Sequence, residues 1–124
     1  MRVFVYGSLK RGLKLHPLLA DSHFLGTAVT RPHYRIFSLG EYPGMVEWPD
    51  GLAVCGELYE VNARTLQQLD QAEGTDEGLY ARREILLQPP HADEYTEAWF
   101  WLGSTSGLTD AGTNWNPNGS DSAG

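Results

Sequence analysis

Glu73 is a carboxylate at a position where a negative charge is costly. It follows Leu66 and Leu69 at helical spacing at the end of a helix-forming segment, residues 63–72, so its side chain continues the core-facing row. The last turn of a helix also disfavours negative charge. Burial and the helix dipole both raise the proton affinity of a carboxylate, as a general acid or base requires. The alternative is a frayed helix end with Glu73 turned to solvent.

A glycine loop follows the first apolar run of the chain and consists of Tyr6, Gly7, Ser8 and Leu9, with Gly12 closing it. A glycine directly after a buried strand leaves consecutive backbone N–H groups free to hold an anion, although an ordinary turn has the same sequence. The spacing of a Walker A motif is present without its Lys-Ser/Thr pair, and GxGxxG is absent, which argues against ATP and NAD. Because Gly7 directly precedes Ser8, the nucleophile elbow G-x-S-x-G is absent, and Ser8 is predicted to donate a hydrogen bond.

The other side chains that could take part in catalysis or binding are scattered along the chain. Tyr80 and Arg82 are two apart and share a face of a strand, so Arg82 can pair with Glu73, pair with a ligand carboxylate, or face water. Glu57 is a second acidic candidate, and Cys55 is interpreted as a small core residue. The four histidines stand at no metal-ligand spacing to one another or to the cysteine, so no metal site is predicted.

Short extended segments dominate the pattern of the chain. Asn62 is a good N-cap for the helix over 63–72, and Gly74 is placed to stop it. A second short helix is predicted around 17–21. The pattern predicts an α+β fold, a small mixed, mostly antiparallel β-barrel with one or two flanking helices. Its strands are predicted over residues 2–5, 24–29, 34–39, 45–48, 54–61, 80–87 and 96–102.

The composition is that of one ordinary globular domain. The 124 residues are 41% hydrophobic and 20% charged, and the net charge of −7 argues against nucleic-acid binding. The basic cluster Lys10, Arg11 and Lys14 is either solvated or attracts an anionic ligand. No apolar run approaches the roughly 18 residues of a membrane span, no signal-peptide pattern is present, and a single cysteine forms no internal disulfide. We therefore expect a cytoplasmic protein without membrane contact.

The composition changes after residue 102. Gly, Ser, Thr, Asn and Asp dominate from Gly103 onward, with no Lys or Arg. This pattern predicts a folded domain over 1–102 and a polar, flexible tail over 103–124. Trp115 is the exception to this polar composition. Its ring is either exposed or docked against the folded domain. Docking is favoured, since burial of an indole offsets part of the ordering entropy.

Four motifs occur in order along the chain: VYGSLKRG (5–12), LGEYPG (39–44), GELYEV (56–61), and LDQAEG (69–74) followed by YAR (80–82). Together they cover about residues 1–102. They resemble the gamma-glutamylcyclotransferase-like (AIG2-like) superfamily, with the closest similarity to its small bacterial members and its gamma-glutamylamine cyclotransferase branch. The resemblance implies a compact barrel whose cavity binds a gamma-glutamyl group through Tyr6, Gly7, Ser8 and Leu9, with Glu73 as the catalytic proton carrier.

The activity implied by the resemblance is an intramolecular aminolysis, of lyase or acyltransferase type. The alpha-amine of a small gamma-glutamyl substrate closes on the gamma-carbonyl, forms 5-oxoproline and releases an amine, with no metal or cofactor. Tyr80 and Arg82 are further substrate-binding candidates. Two other functions stay open: a non-catalytic small-molecule-binding module, and an amide hydrolase in which Glu73 activates water. The sequence names neither the leaving amine nor the oligomeric state.

Overall fold

A computed structural model describes residues 1–115 of the chain. Two short 3-10 helices, His16–Leu19 and Thr75–Glu77, interrupt the loops. No helix in this part of the chain is long and apolar enough to cross a membrane. In chain order the strands and the helix are β1 (Arg2–Val5), β2 (His23–Val29), β3 (Tyr34–Ser38), β4 (Pro43–Glu47), β5 (Cys55–Glu60), α1 (Ala63–Ala72), β6 (Tyr80–Glu84), β7 (Glu97–Trp101) and β8 (Thr109–Asp110).

The strands form two sheets. The larger has the order β2-β5-β1-β7-β6, and the smaller has the order β4-β3-β8. β1 is central in the larger sheet, with Val3 opposite Tyr59 of antiparallel β5 and opposite Glu97 of parallel β7. The remaining pairs are antiparallel in the described residues. The prediction of a small mixed, mostly antiparallel α+β fold is confirmed.

The predicted barrel closure is wrong. β2 and β6 are the two edges of the larger sheet, and between residues 1 and 115 they approach closure only at an isolated bridge from Thr30 to Leu87. The bridge is held by hydrogen bonds from the Arg31 N–H to the Leu86 carbonyl and from the Gln88 N–H to the Val29 carbonyl, both at 2.9 Å. Pairing stops there because the Leu86 N–H donates to the Tyr34 hydroxyl at 3.0 Å and the Arg31 carbonyl accepts from the His33 N–H at 2.8 Å, instead of bonding to each other.

The core has two parts, one on each face of β1. Phe4 packs with Ile36 between the two sheets, whereas Val3 and Val5 pack with Leu69 of α1 on the opposite face. A strand buried on both faces needs apolar residues at every position instead of alternation, which accounts for the run from Val3 to Val5. The chain leaves this buried strand directly into the glycine loop.

The helix has the ends that the sequence predicts. The Asn62 side-chain oxygen accepts a hydrogen bond from the Thr65 N–H at 2.8 Å, which caps the first turn. Gly74 follows the helix with φ of 72°, a left-handed conformation that favours glycine. These two ends fix the position of Glu73, the residue between the last helical residue and Gly74.

The segment after residue 102 contacts both sheets. The Ala111 N–H donates to the Ile36 carbonyl at 2.8 Å, and the Thr113 carbonyl accepts from the Cys55 N–H at 2.7 Å. Trp115 is 6% exposed and belongs to the core between the sheets. The polar composition did not predict these contacts. The domain boundary at residue 102 stays a prediction, and residues 116–124 lie outside the described residues.

Candidate active site

A cavity of about 150 Å³ lies where the glycine loop, the end of α1 and the start of β4 meet. Six of the seven residues predicted from the sequence line it: Tyr6, Gly7, Ser8, Leu9, Glu73 and Tyr80. Apolar groups complete most of the wall, contributed by Phe4, Val5, Leu15, Tyr42, Pro43, Ala72, Leu79 and Trp99. Most of the predicted site is therefore brought into one cavity, although its residues are up to 74 positions apart in the chain.

The glycine loop presents backbone donors at this cavity. Among residues 1–115, none accepts a hydrogen bond from the N–H groups of Gly7, Ser8 or Leu9. The carbonyls of the same loop are engaged, because the Lys10 N–H donates to the Gly7 oxygen at 3.0 Å and the Leu15 N–H donates to the Ser8 oxygen at 2.9 Å. Three consecutive N–H groups without a protein acceptor are suited to hold an anion.

Gly7 also permits the close approach of β4. A Cβ atom at this position would lie 2.9 Å from both Cγ and Cδ of Pro43, nearer than real Cβ atoms approach a neighbour. Any larger residue at position 7 would therefore push Pro43 away from the loop and alter the cavity wall. The glycine therefore lets β4 approach the loop that follows β1.

Two side chains hold the loop from outside the cavity. The Glu57 carboxylate accepts hydrogen bonds from the Arg11 N–H at 2.9 Å and from the Tyr59 hydroxyl at 3.0 Å. The His16 ring contacts the Leu9 carbonyl through Nδ1 at 3.0 Å. Glu57, the second acidic candidate from the sequence, is not among the residues that line the cavity within the described part of the chain. Its contacts stabilise the loop.

Glu73 is the acidic residue of the cavity wall. Its backbone N–H donates to the Leu69 carbonyl at 2.9 Å, so the helical hydrogen bonding continues to this residue. Its side chain is partly buried. Burial first, and then the negative charge of Asp70, raise the pKa of Glu73 from 4.5 to about 7. A carboxylate with this pKa exchanges its proton near neutral pH, as a general acid or base must.

Of the three tyrosines that line the cavity in the described residues, Tyr6 and Tyr80 have their hydroxyl protons engaged. The Tyr6 hydroxyl donates to the Trp99 carbonyl at 2.6 Å and accepts from the Met45 N–H at 3.2 Å. The Tyr80 hydroxyl donates to the Pro43 carbonyl at 2.7 Å. Burial and the nearby Glu73 raise the pKa of both phenols, so both stay protonated at neutral pH. They hold β4 against the larger sheet and offer ring surface to the cavity.

Arg82 contacts two carboxylates away from the cavity. Its Nε lies 3.3 Å from Asp70, and its Nη1 lies 3.3 Å from Glu97. Asp70 also accepts a hydrogen bond from the Trp99 indole N–H at 2.8 Å. Within residues 1–115, Arg82 is not among the residues that line the cavity. The sequence left Arg82 to pair with Glu73, to pair with a ligand carboxylate, or to face water. In the structure it pairs with Asp70 and Glu97 instead.

Residues 3–117 match the model of the family described as gamma-glutamyl cyclotransferase, AIG2-like. The chain belongs to this family. The gamma-glutamylcyclotransferase family protein YtfP of Escherichia coli K12 is 38% identical over 102 residues, which cover 82% of this chain and 81% of YtfP.

Two solved structures in this comparison share the fold. The solution NMR structure of YtfP from Escherichia coli superposes with a TM-score of 0.64, at 34% identity, and covers 89% of this chain and 90% of YtfP. The crystal structure of an AIG2-like protein from Mus musculus superposes with a TM-score of 0.67, at 26% identity, and covers 84% of this chain and 77% of the mouse chain. The AIG2-like resemblance expected from the four motifs is confirmed.

Sequence reasoning missed part of the cavity wall in this AIG2-like chain. Tyr42 and Pro43 lie in the LGEYPG motif, so the signal for them was available in one of the four motifs, although no site residue was predicted there. Trp99 reaches the cavity because β7 pairs in parallel with β1. Leu79 precedes Tyr80 by one position and would face away from it in a regular strand, but β6 begins only at Tyr80. Neither of these last two placements follows from local pattern.

The raised pKa of Glu73 predicts how the stability of this AIG2-like chain depends on pH. The folded state holds the Glu73 proton more tightly than the unfolded state, where the pKa is near 4.5. The contribution of Glu73 to the free energy of unfolding is therefore fully present below pH 4.5, and it is lost as the pH rises to about 7. Glu73→Gln removes this loss. The melting temperature of the variant should rise relative to wild type across that interval and then stay higher.

The measurement is thermal unfolding of both proteins at a series of pH values. Glu77→Gln, at an exposed glutamate four residues away, is the matched control. If the difference between wild type and Glu73→Gln is the same at pH 4.5 and at pH 8, the carboxylate is not desolvated in the folded protein.

Proposed function

We propose that this chain is a gamma-glutamylcyclotransferase-type enzyme, which forms 5-oxoproline and releases an amine from a gamma-glutamyl compound. The observation that carries the proposal is that Glu73, with a pKa of about 7, lines the same cavity as three loop N–H groups. In the proposal, Glu73 moves protons at neutral pH, and the loop N–H groups hold an anion. Family membership supports this reaction class.

In the proposed reaction the substrate supplies its own nucleophile. The ionised Glu73 takes a proton from the alpha-ammonium group and exposes the nitrogen lone pair. This nitrogen forms a bond to the gamma-carbonyl carbon, closing a five-membered ring, and passes its second proton to solvent. The protonated Glu73 then donates to the leaving nitrogen as its bond to the carbonyl carbon breaks, and the free amine takes up a further proton from solvent.

The cavity contributes mainly geometry and charge stabilisation. An intramolecular attack requires the gamma-glutamyl chain to fold back on itself, and a cavity of about 150 Å³ favours the folded chain over the extended one. The N–H groups of Gly7, Ser8 and Leu9 are the candidates to hold the substrate carboxylate or the developing oxyanion. A buried indole and two protonated phenols share the cavity wall with Glu73, so a substrate folded against them would displace water from the reacting carbonyl, which favours ring closure over hydrolysis.

The test is product analysis with purified protein. We expect incubation with a set of gamma-glutamyl amides and gamma-glutamyl amino acids to release 5-oxoproline and the free amine in equal amounts, as measured by chromatography. Release of glutamate in place of 5-oxoproline would contradict the proposal and indicate an amide hydrolase. Binding of these compounds with no product of either kind would indicate a non-catalytic binding module.

A further inference from the structure

Asp70 lies behind the cavity, one helical turn before Glu73. It is not one of the residues that line the cavity within the described chain, and its side chain is 24% exposed. Two side chains three positions apart on a helix lie on the same side, with about 5–6 Å between their Cβ atoms. The Asp70 carboxylate is therefore close enough to act on Glu73 through its charge without forming part of the cavity wall.

One oxygen of Asp70 holds a residue of that wall. Its Oδ1 accepts the hydrogen bond from Trp99 Nε1 at 2.8 Å, and Arg82 Nε lies 3.3 Å from the same atom. Trp99 is 2% exposed and lines the cavity. An indole has a single N–H donor, so the group that accepts this hydrogen bond sets the orientation of a buried ring. Asp70 thus determines how the Trp99 ring stands in the cavity wall.

The charge of Asp70 is only partly neutralised. Arg82 is its cationic partner, but the same guanidinium also lies 3.3 Å from Glu97 through Nη1. Arg82 Nε is buried and makes no hydrogen bond to the part of the chain that the structure describes, so its contact with Asp70 is an ion pair alone. Two carboxylates share one cation in this cluster, which keeps a net negative charge. Such a charge close to Glu73 favours the protonated form of that residue.

The other elements around Glu73 contribute no second carboxylate to the cavity wall in the described residues. The further titratable groups that line it there are Tyr6, Tyr42 and Tyr80. The two 3-10 helices that contact α1 carry His16, Asp76 and Glu77, and these three residues are not among those lining the cavity. Burial, followed by the charge of Asp70, raises the pKa of Glu73 to about 7. Asp70 is therefore the charged neighbour that matters for Glu73.

We propose that Asp70 is a positioning residue for the reaction, which orients the Trp99 indole in the cavity wall and maintains a negative charge one turn before Glu73. The inference rests on the proposed function and adds to it a residue that lies outside the cavity. The orientation of the indole affects how the gamma-glutamyl chain packs against the wall, and so affects KM. The charge affects how strongly Glu73 holds its proton, and so sets the pH at which the base becomes ionised.

Asp70→Asn removes the charge and keeps an oxygen for the indole N–H. We expect the pKa of Glu73 to fall by about half a pH unit or more, and the acid limb of the kcat/KM profile to move down with it. The pKa is measured by NMR with ¹³C-labelled glutamate carboxyl groups, and the Glu73 signal is assigned by its absence from Glu73→Gln. Asp76→Asn is the matched control, because Asp76 is exposed and lies three positions after Glu73. It should leave the Glu73 pKa unchanged.

Asp70→Glu makes the converse change, because it keeps the charge and moves the acceptor outward by one methylene group. We expect KM for a gamma-glutamyl amide to rise about threefold or more, with a smaller change in kcat, and the NMR signal of the Trp99 indole N–H to shift. Asp70→Asn should keep both KM and the indole signal close to wild type. Wild-type values of both quantities in Asp70→Glu would contradict the orientation of Trp99 by Asp70.

The NMR measurements keep this inference separate from the proposed function, because neither the Glu73 pKa nor the Trp99 indole signal requires turnover. A lower Glu73 pKa in Asp70→Asn supports the inference even if no gamma-glutamyl compound yields 5-oxoproline. Absence of 5-oxoproline with wild type contradicts the proposed function. A Glu73 pKa that is the same in wild type, Asp70→Asn and Asp76→Asn would overturn the role of Asp70.

Discussion

Glu73→Gln should lower the rate of 5-oxoproline release by about 10²–10⁴-fold, the usual effect of removing a general acid or base. Glutamine keeps the shape of the side chain but cannot accept a proton from the substrate ammonium or return one to the leaving nitrogen. Because the loss affects steps that follow binding, kcat should fall while the affinity for substrate changes little. Steady-state kinetics on a gamma-glutamyl amide, followed by 5-oxoproline formation, give this result directly.

Two controls separate chemistry from folding. The substrate dissociation constant of Glu73→Gln should stay close to the wild-type KM, since the N–H groups of Gly7, Ser8 and Leu9 do not depend on residue 73. Glu77→Gln, at an exposed glutamate nearby, should retain wild-type kinetics. Full activity in Glu73→Gln would show that another group moves the proton. Loss of activity together with loss of the folded state would assign Glu73 a structural role.

The position of Glu73 could be predicted because its determinants are local. An N-cap at Asn62, an apolar row through Leu66 and Leu69, and a glycine at position 74 define one helix end, and all lie within 13 residues. The glycine loop is similarly local, since the buried strand before it and its small residues lie next to each other. Such features depend on backbone geometry over one or two turns, which a single sequence reports well.

Arg82 shows where local pattern is insufficient. It shares a strand with Tyr80, and the two-residue spacing correctly places both on one side of β6. The cavity ends between them, however, because Asp70 of α1 and Glu97 of β7 lie opposite Arg82 and hold its guanidinium. Those two partners are 12 and 15 positions away in the chain, on different elements. Only the packing of the helix on the sheet determines which arginine is engaged internally and which is open to a ligand.

Barrel closure and the docking of the last segment could not be predicted for the same reason, because both depend on residues that are far apart in the chain. Closure depends on whether the first and last strands of a sheet pair with each other. Here the Leu86 N–H bonds to Tyr34 and the Arg31 carbonyl bonds to His33, which limits that pairing to one bridge. The segment from 109 to 115 has a polar composition, yet backbone hydrogen bonds, which any residue but proline can donate, join it to both sheets beside the buried Trp115 ring. Composition reports side chains and cannot reveal a segment held in this way.

Trp115→Ala should destabilise the folded chain by about 3 kcal/mol, near the lower end of the cost of truncating a buried tryptophan. Trp115 is 6% exposed and packs in the core between the two sheets. The lower end is expected because its indole N–H is buried without an acceptor among residues 1–115, and an unpaired donor offsets part of the gain from burial. The melting temperature should fall by roughly 10 °C.

Thermal unfolding of four matched proteins gives this prediction its controls. Trp115→Phe keeps an aromatic ring and removes the unpaired N–H, so its loss should be clearly smaller than that of Trp115→Ala. Tyr95→Ala removes an aromatic residue that is 55% exposed and should change the melting temperature little.

A chain ending at Leu102 loses Trp115 together with the hydrogen bonds of residues 109–115 and should be less stable than Trp115→Ala. If that truncated chain melts at the wild-type temperature, residues 103–124 are a free tail and the folded domain ends at residue 102. A large loss would extend the domain to Trp115, because the core between the sheets would then need its indole.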